Sequence, residues 1–200
     1  MTFSIIALDR RSRALGVAVA TGSTHVADRV PHVEPNVGAV ATQGYTLVAY
    51  GPWGLGLLKK GLEPRQALEI MLKADPGREL RQVGILSASG SAAAHTGRST
   101  PEWHGHLIGP DYVILGNLIT GPEVLTAMRD AFEAMRERGL GEALISALEA
   151  GREAGGDLRG ERSTALFLAL PDGRVLRLRI DRHPDPISAL RALWRKQARL

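Results

Sequence analysis

The first hydrophobic positions of the chain predict a β-hairpin. Two short apolar segments, at 2–8 (TFSIIAL) and 14–20 (ALGVAVA), flank the polar stretch DRRSR, and apolar runs bounded by polar turns are typical of paired strands. Neither segment alternates apolar with polar residues, so both of its faces carry Ile, Val, Ala or Gly. Strands of this kind are usually buried on both faces. We therefore expect a sheet with a second layer of structure on each side.

Further apolar runs predict more strands. The third is expected at 37–42 (VGAVAT), and the preceding GSTHVADRVPHVEPN carries two prolines, so it is expected to be mostly loop. The segment Pro171-Asp172-Gly173 predicts the turn of a last hairpin, because proline presets φ and glycine allows a positive φ. The remaining strands are predicted at 82–87, 91–96, 112–117 and on both sides of that turn within 163–181.

Proline in the first turn indicates four helices, each continued by apolar residues at a spacing of three or four. These helices are predicted at 52–60, 64–74, 122–137 and 186–197, with a fifth at 141–153. The resulting order of strands and helices is not the strict alternation of a doubly wound sheet. It favours the α+β class, with two antiparallel sheets stacked between two helical layers in a four-layer αββα sandwich. No repeat or linker divides the chain, so we expect a single domain over 1–200.

Composition argues against several classes of protein. The 200 residues include no cysteine, which excludes disulfides, thiolate metal ligands and cysteine nucleophiles. No apolar run reaches the roughly 18 residues needed to span a membrane, and the basic residues near the amino terminus follow the apolar stretch instead of preceding it, unlike those of a secretory signal. We expect a cytoplasmic protein with no membrane contact. The net charge of +4 is spread over scattered arginines, so nucleic-acid binding is not expected.

Segments spread over the whole chain resemble a conserved, uncharacterised family of bacterial and archaeal proteins with an N-terminal-nucleophile (Ntn) hydrolase-like fold. The resemblance implies the αββα sandwich and, for an active member, an amide hydrolase whose first mature residue is the nucleophile. It implies no cofactor. The matching segments are MTFSIIALD at 1–9, LGVAVA at 15–20, VGAVATQ at 37–43, YGPWGLGLL at 50–58, ADPGRELRQVG at 74–84, AAHTG at 93–97, GN and GPEV within 116–124, AGGDLRGERS at 154–163 and DRHPDPISAL at 181–190.

Thr2 is the candidate nucleophile. Methionine aminopeptidases remove Met1 when the second residue is small, and threonine qualifies. The product would carry a hydroxyl and a free α-amine on one residue, and an amine with a pKa near 8 can accept the hydroxyl proton directly or through water. The alternative is that Thr2 simply begins a strand, a position that favours threonine in any case.

The end of the third predicted strand is the candidate oxyanion hole. Backbone N–H groups at a strand end can stabilise the negative oxygen of an acyl-transfer intermediate, and the resemblance implies that role for Gln43 and Gly44. Gly44 could equally supply a positive φ for a turn. Asn117, at another strand end, is a candidate for orienting the substrate carbonyl or the attacking water, or else it satisfies local backbone groups.

The glycine-rich segment GGDLRGERS supplies further candidates. Asp157 could hold the α-amine or its proton, and Arg159 could bind an anionic substrate group through two hydrogen bonds; an internal Asp–Arg pair that stiffens the loop is the alternative. Ser163, Ser23 and His95 complete the predicted substrate-binding set.

A histidine-based metal site is a competing hypothesis. His104 and His106 lie at i and i+2, so an extended strand would direct both to one side, and His95 or Asp111 could be a third ligand. This spacing alone lacks a closed ligand set, and we predict no metal. The sequence thus predicts a hydrolase of a small amide that forms a homodimer, the commonest oligomer. The alternative is a catalytically silent module of the same fold that binds a ligand or assembles with itself.

Overall fold

Two antiparallel sheets and five α-helices make up the computed structural model, which describes residues 2–197. Three short 3₁₀ helices lie at Val26–Asp28, Arg78–Leu80 and Arg136–Arg138. The helices are α1 Tyr50–Lys59, α2 Pro64–Ala74, α3 Glu123–Met135, α4 Leu140–Glu153 and α5 Pro186–Gln197. The strands are β1 Thr2–Leu8, β2 Leu15–Thr21, β3 Pro31–Glu34, β4 Gly38–Gly44, β5 Arg81–Ser87, β6 Ala92–Thr96, β7 His104–Gly109, β8 Tyr112–Asn117, β9 Ser163–Ala169 and β10 Val175–Ile180.

The order of the strands places β1 in the middle of the larger sheet. Six strands follow the order β10-β9-β2-β1-β8-β7, and four follow the order β3-β4-β5-β6. Every ladder is antiparallel. Because β1 has a hydrogen-bonded neighbour on each side, its first residue, Thr2, lies beside β2 and β8.

Three apolar clusters hold these elements together. One lies between the two sheets and includes Ile6 and Val19 of the larger sheet with Leu86 of the smaller one. The second joins the other face of the larger sheet, through Phe3 and Ile5, to helices α3, α4 and α5. The third joins the smaller sheet to α1 and α2. Both faces of β1 and β2 are therefore covered, as the lack of alternation in their sequences predicts, and every residue of these two strands is buried.

Alternate residues of β1 face different clusters, and this assigns the direction of Thr2. Phe3 and Ile5 belong to the cluster under the helices, whereas Ile6 and Leu8 belong to the cluster between the sheets. Side chains alternate between the faces of a strand. Thr2 lies an even number of positions from Ile6, so its side chain also faces the space between the sheets.

The helices begin and end close to their predicted bounds. Helix α2 starts at Pro64 with a capping box, in which the Glu63 side chain accepts the backbone N–H of Gln66 and the Gln66 side chain accepts that of Glu63. Helix α1 starts two residues earlier than the predicted Pro52. In the described part of the chain, none of the helices combines the length and the apolar character needed to cross a bilayer.

Two strands differ from the sequence expectation. The predicted loop after β2 contains β3, a four-residue strand that pairs only with β4. It lies just before Pro35 at a sheet edge, a place where proline is tolerated and where a strand has little apolar signature. The other, β7, is also an edge strand and contains two glycines and two histidines, which obscures its pattern.

Candidate active site

A row of polar side chains crosses the larger sheet where β1 begins. Thr2 pairs directly with Asn117, Asn117 with His104, and Thr21 with Ser163. The Thr2 hydroxyl donates to Thr21 Oγ1 at 3.2 Å, which joins the two halves of the row. Directly opposed residues present their side chains on the same face, so the row faces the space between the sheets. Thr2 is 7% exposed and Asn117 is fully buried.

The smaller sheet opposes this row with a second one. Gln43 pairs with Gln82, and Gln82 with Thr96, on neighbouring strands. The side chain of Gln43 spans the two sheets: its Nε2 donates to the carbonyl oxygen of Thr2 at 3.2 Å, and its Oε1 accepts the Ser4 hydroxyl at 2.7 Å. Gln43 therefore fixes the backbone at the candidate nucleophile.

Gln82 determines how its neighbouring amides are oriented. Its Nε2 lies 2.9 Å from the carbonyl oxygen of Gly105 and 2.8 Å from that of Gly116, and a carbonyl can only accept. The Oε1 of Gln82 is therefore the acceptor for Gln43 Nε2 at 2.8 Å and for Asn117 Nδ2 at 2.9 Å. These bonds leave the Asn117 amide with its nitrogen towards Gln82 and its oxygen elsewhere.

The oxygen of that amide is an acceptor without a donor. Asn117 Oδ1 is buried and has no hydrogen-bond partner among the described residues. Asp111 Oδ1 also lacks a bond of good geometry, but Arg10 Nη2 lies 2.7 Å from it and neutralises it. A buried polar atom left unpaired costs about 1–3 kcal/mol, and native proteins contain few of them. The buried oxygen of Asn117, a residue that pairs with Thr2 in the sheet, is therefore suited to a donor.

The loop that contains Asp157, between α4 and β9, closes the larger sheet at the start of β1. Asp157 forms a backbone bridge with Ile119, just beyond the end of β8. Its Oδ2 accepts the backbone N–H of Gly22 at 2.5 Å, just beyond the end of β2. Its Oδ1 accepts the N–H of Arg159 at 2.9 Å, and the side chain is fully buried. The carboxylate thus lies at the end of the two strands that flank β1, on the side of its first residue.

The predicted substrate-binding residues near this loop make mainly structural contacts. Arg159 is exposed, with Nε 3.5 Å from Asp157 Oδ1 and Nη2 3.5 Å from the Ser23 hydroxyl. The Ser163 hydroxyl donates to the carbonyl oxygen of Ser23 at 2.7 Å and accepts the N–H of Val26 at 3.2 Å. Ser163 therefore shapes the segment after β2, whereas Arg159 leaves most of its guanidinium accessible.

Gly44 ends β4 in a conformation that favours glycine. Its φ is +80°, and a Cβ there would lie 2.8 Å from the carbonyl oxygen of Leu80. Arg81 anchors the turn, because its Nη1 donates to the carbonyl oxygen of Tyr45 at 2.7 Å and its Nε to Asp75 Oδ2 at 2.9 Å. The turn after Gln43 and Gly44 is thus held from both sides.

The histidines of the competing metal hypothesis bond to different partners. His95 pairs with Val83, which packs under the helices, so it faces away from Thr2, and its Nε2 donates to the carbonyl oxygen of Arg78 at 2.9 Å. His104 Nδ1 donates to Thr100 O at 2.7 Å. Burial, followed by the nearby charge of His95, lowers the pKa of His106. Within residues 2–197, no group of three His, Asp or Glu side chains could hold a metal ion.

Four polar residues of the site were missed by sequence reasoning. Thr21 directly follows the predicted strand 14–20, and Gln82 is the first residue of the predicted strand 82–87. The alternation Gln82, Gly84, Leu86 could have assigned Gln82 to the face of the intersheet cluster. Ser4 and Thr96 carry no comparable signal, because their partners come from the opposite sheet or from β7.

The chain is similar to proteins of known structure. The crystal structure of protein SPO2555 from Silicibacter pomeroyi, a protein of family model DUF1028, has 36% sequence identity and a TM-score of 0.90, over 98% of this chain and 85% of that one. Anbu (ancestral beta-subunit) from Yersinia bercovieri has 10% identity and a TM-score of 0.37, over 99% of this chain and 94% of that one. No curated protein matches. The model of the family of unknown function DUF1028 matches residues 2–190, and the chain therefore belongs to that family.

Proposed function

We propose that the protein is an N-terminal-nucleophile hydrolase that cleaves a small amide, with Thr2 as the nucleophile after removal of Met1. We also propose that the fold is the four-layer αββα sandwich of Ntn hydrolases. The three apolar clusters support that arrangement, because they lie between the two sheets and between each sheet and its own helices.

The unpaired oxygen of Asn117 is the observation that carries the proposal. Asn117 pairs directly with Thr2, and its Oδ1 is buried without a donor. Removal of Met1 converts the amide nitrogen of Thr2 into an α-amine, which brings additional N–H donors to the first residue of β1. One of them would satisfy Asn117 Oδ1. The same bond would orient the lone pair of the amine towards the Thr2 hydroxyl.

The reaction follows from the amine and hydroxyl of one residue. Thr2 Oγ1 attacks the substrate carbonyl carbon as its proton passes to the α-amine, directly or through water. The C–N bond then breaks, the leaving amine takes that proton, and the acyl group remains as an ester on Thr2. The same α-amine then takes a proton from a water molecule, which attacks the ester carbonyl carbon. The acyl group leaves as a carboxylic acid, and the amine returns the proton to Oγ1. No cofactor takes part.

The neighbouring groups have separate roles in this scheme. The backbone at Gly44 is the proposed oxyanion donor, held by its rigid turn. The Gln43 side chain is a positioning group, since its Nε2 bonds to the Thr2 carbonyl oxygen and to Gln82. Asp157 is the buried carboxylate at the start of β1, and it would stabilise the amine when the amine carries the proton.

The test is a panel of small amides and lactams assayed with matched variants. Thr2→Ala keeps a small second residue, so Met1 is still removed, but the hydroxyl is lost. We expect it to reduce hydrolysis by about 10³-fold or more, and Thr2→Ser to retain a measurable part. Hydrolysis that survives Thr2→Ala would exclude this nucleophile. Absence of hydrolysis together with a retained Met1 would favour the silent module.

We also propose that the protein is a cytoplasmic homodimer. The absence of cysteine suits a reducing compartment, and the twofold dimer is the most frequent oligomer of soluble proteins. Sedimentation velocity of the full chain measures the assembly, and a single monomer boundary across concentrations would contradict it.

A further inference from the structure

A basic cavity adjoins the polar row at the end of β2. It has a volume of about 760 Å³ and is lined by Gly22, residues 159–162 and residues 182–184. Gly22 directly follows Thr21, whose hydroxyl accepts the bond from Thr2. We call this space the arginine cavity, after Arg159, Arg162 and Arg182.

The acidic groups around the arginine cavity have hydrogen-bond or ion-pair partners other than Arg162 and Arg182. Glu161 Oε1 accepts the backbone N–H of Asp157 at 2.9 Å, and Asp157 itself is held by Gly22 and Arg159. Asp181 pairs with Arg179 at 2.7 Å. Asp185 pairs with Arg152 at 2.9 Å.

The arginines of the cavity are by contrast largely available. Arg162 and Arg182 form no ion pair within the described part of the chain, and Arg159 contacts an acid only at 3.5 Å. All three are exposed. The cavity therefore presents guanidinium groups with unused donors, and guanidinium binds carboxylate and phosphate oxygens strongly through paired hydrogen bonds.

Backbone bonds hold these arginine segments in place beside the candidate nucleophile. The N–H of Arg162 donates to the carbonyl oxygen of Thr21 at 2.7 Å, and the N–H of His183 donates to that of Arg162 at 2.9 Å. Gly22 completes the wall, because a Cβ there would lie 2.8 Å from Asp157 Oδ1. The two arginine segments are thus linked to each other and to the strand next to β1.

We propose that the arginine cavity binds an anionic oxygen group, a carboxylate or a phosphate, of the amide that Thr2 cleaves. Its assignment to a substrate rests on the proposed function. The binding of the anion does not, because it requires neither the Thr2 hydroxyl nor the removal of Met1.

The binding is tested by NMR titration of the full-length protein at constant ionic strength with inorganic phosphate, acetate and uncharged acetamide. We expect saturable shifts of the Gly22 and Gly160 amide signals with phosphate, acetate or both, and none with acetamide. The anion that binds more tightly identifies the source of the charge. Arg162→Gln and Arg182→Gln should each weaken binding about ten-fold, the loss expected of one charge-assisted hydrogen bond.

Arg174→Gln is the matched control, because Arg174 is an exposed arginine paired with Asp172 in the β9–β10 turn; it should bind as the wild type does. Equal shifts with acetamide, no saturable shift with either anion, or binding unchanged in both cavity variants would overturn the proposal. The Thr2→Ala variant separates the two proposals. If hydrolysis survives in it, the nucleophile is wrong while anion binding stands; if a bound anion fails to compete with a hydrolysed amide, the cavity is not its subsite.

Discussion

Asn117 pairs directly with Thr2 across β1 and β8, and its buried amide oxygen has no donor among the described residues. The pairing places the two side chains on one face of the sheet. Asn117 Nδ2 donates to Gln82 Oε1, which fixes the orientation of the Asn117 amide. This relationship connects the position of the first residue with an unsatisfied acceptor, and it makes the α-amine of Thr2 the centre of the proposed chemistry.

Asn117→Asp should move the pH dependence of hydrolysis towards alkaline pH. A carboxylate beside the α-amine favours the protonated amine, so it raises the pKa of that base by about one unit. The base is then neutral only at higher pH, and kcat/KM at neutral pH falls. The pH profile of kcat/KM measures this directly. Asn36→Asp adds the same charge at an exposed position and should leave the profile unchanged; an unshifted Asn117→Asp profile would contradict the role of Asn117.

Gln82→Leu should strongly destabilise the fold. Leucine keeps the approximate size of the fully buried side chain but removes the acceptor for Gln43 and Asn117 and the donor for two backbone carbonyls. We expect a loss of about 3 kcal/mol or more in the free energy of unfolding, because several buried polar groups lose their partners together.

Urea denaturation measures this loss, with Gln197→Leu as the control. Gln197 is exposed at the end of α5, so its change should stay within about 0.5 kcal/mol. If the two variants were equally stable, the buried amide network would not be a source of stability.

Two glycines of helix α1 should respond in opposite directions to alanine. A Cβ on Gly51 would lie 2.2 Å from the ring of His32, whereas a Cβ on Gly56 would meet no atom within 4 Å. Gly51→Ala should destabilise the protein by about 1–3 kcal/mol through this overlap. Gly56→Ala should stabilise it by about 0.5–1 kcal/mol through helix propensity. Thermal unfolding of both variants gives the signs, and a stabilising Gly51→Ala would show that β3 does not pack on α1 as described.

Acid should destabilise the fold partly through His32. Burial lowers the pKa of His32, and a hydrogen bond to the carbonyl of Arg29 offsets this only in part. The unfolded chain then binds more protons than the folded one between the lowered pKa and the ordinary value near 6.5, so the free energy of unfolding decreases as pH falls through that window.

His32→Gln should therefore make the decrease in unfolding free energy between about pH 7 and pH 5 less steep. Urea denaturation at each pH provides the measurement. The same substitution at the exposed His183 is the control. His106, whose pKa burial also lowers, keeps part of the pH dependence in the variant. A His32→Gln slope equal to that of the wild type would contradict the effect.

The sequence predicted the elements far better than the contacts between them. Helix α2 begins and ends as expected, and α5 begins as expected, because proline and apolar spacing are local signals. The β3 edge strand lies in a segment predicted as mostly loop, and the β7 edge strand was not among the predicted strands. An edge strand is paired on one side only and needs little apolar character. The unalternating pattern of 2–8 and 14–20 predicted the burial of β1 and β2 on both faces.

The candidate site could be predicted only where a residue lies near the start or end of a strand. Thr2, Gln43 and Asn117 meet at one end of the space between the sheets, as their positions at the ends of predicted strands indicated. The central role of Gln82 depends on its bonds to backbone carbonyls of β7 and β8. The sequence of one strand does not predict which residues of a distant strand it will contact. His95 lies on the face of β6 away from Thr2, although it was predicted to bind substrate. Neighbouring residues of a strand face opposite sides, so a shift of one residue in the expected strand changes the predicted face.

The intact mass of the protein isolated from its own host tests the central claim most directly. The proposed chemistry requires a free α-amine on the residue that also carries the hydroxyl. We predict a mass lower than that of the full sequence by one methionine residue, with Thr2 as the first residue of the amino-terminal peptide. A protein that retains Met1, or whose Thr2 amine is blocked, would contradict Thr2 as the nucleophile.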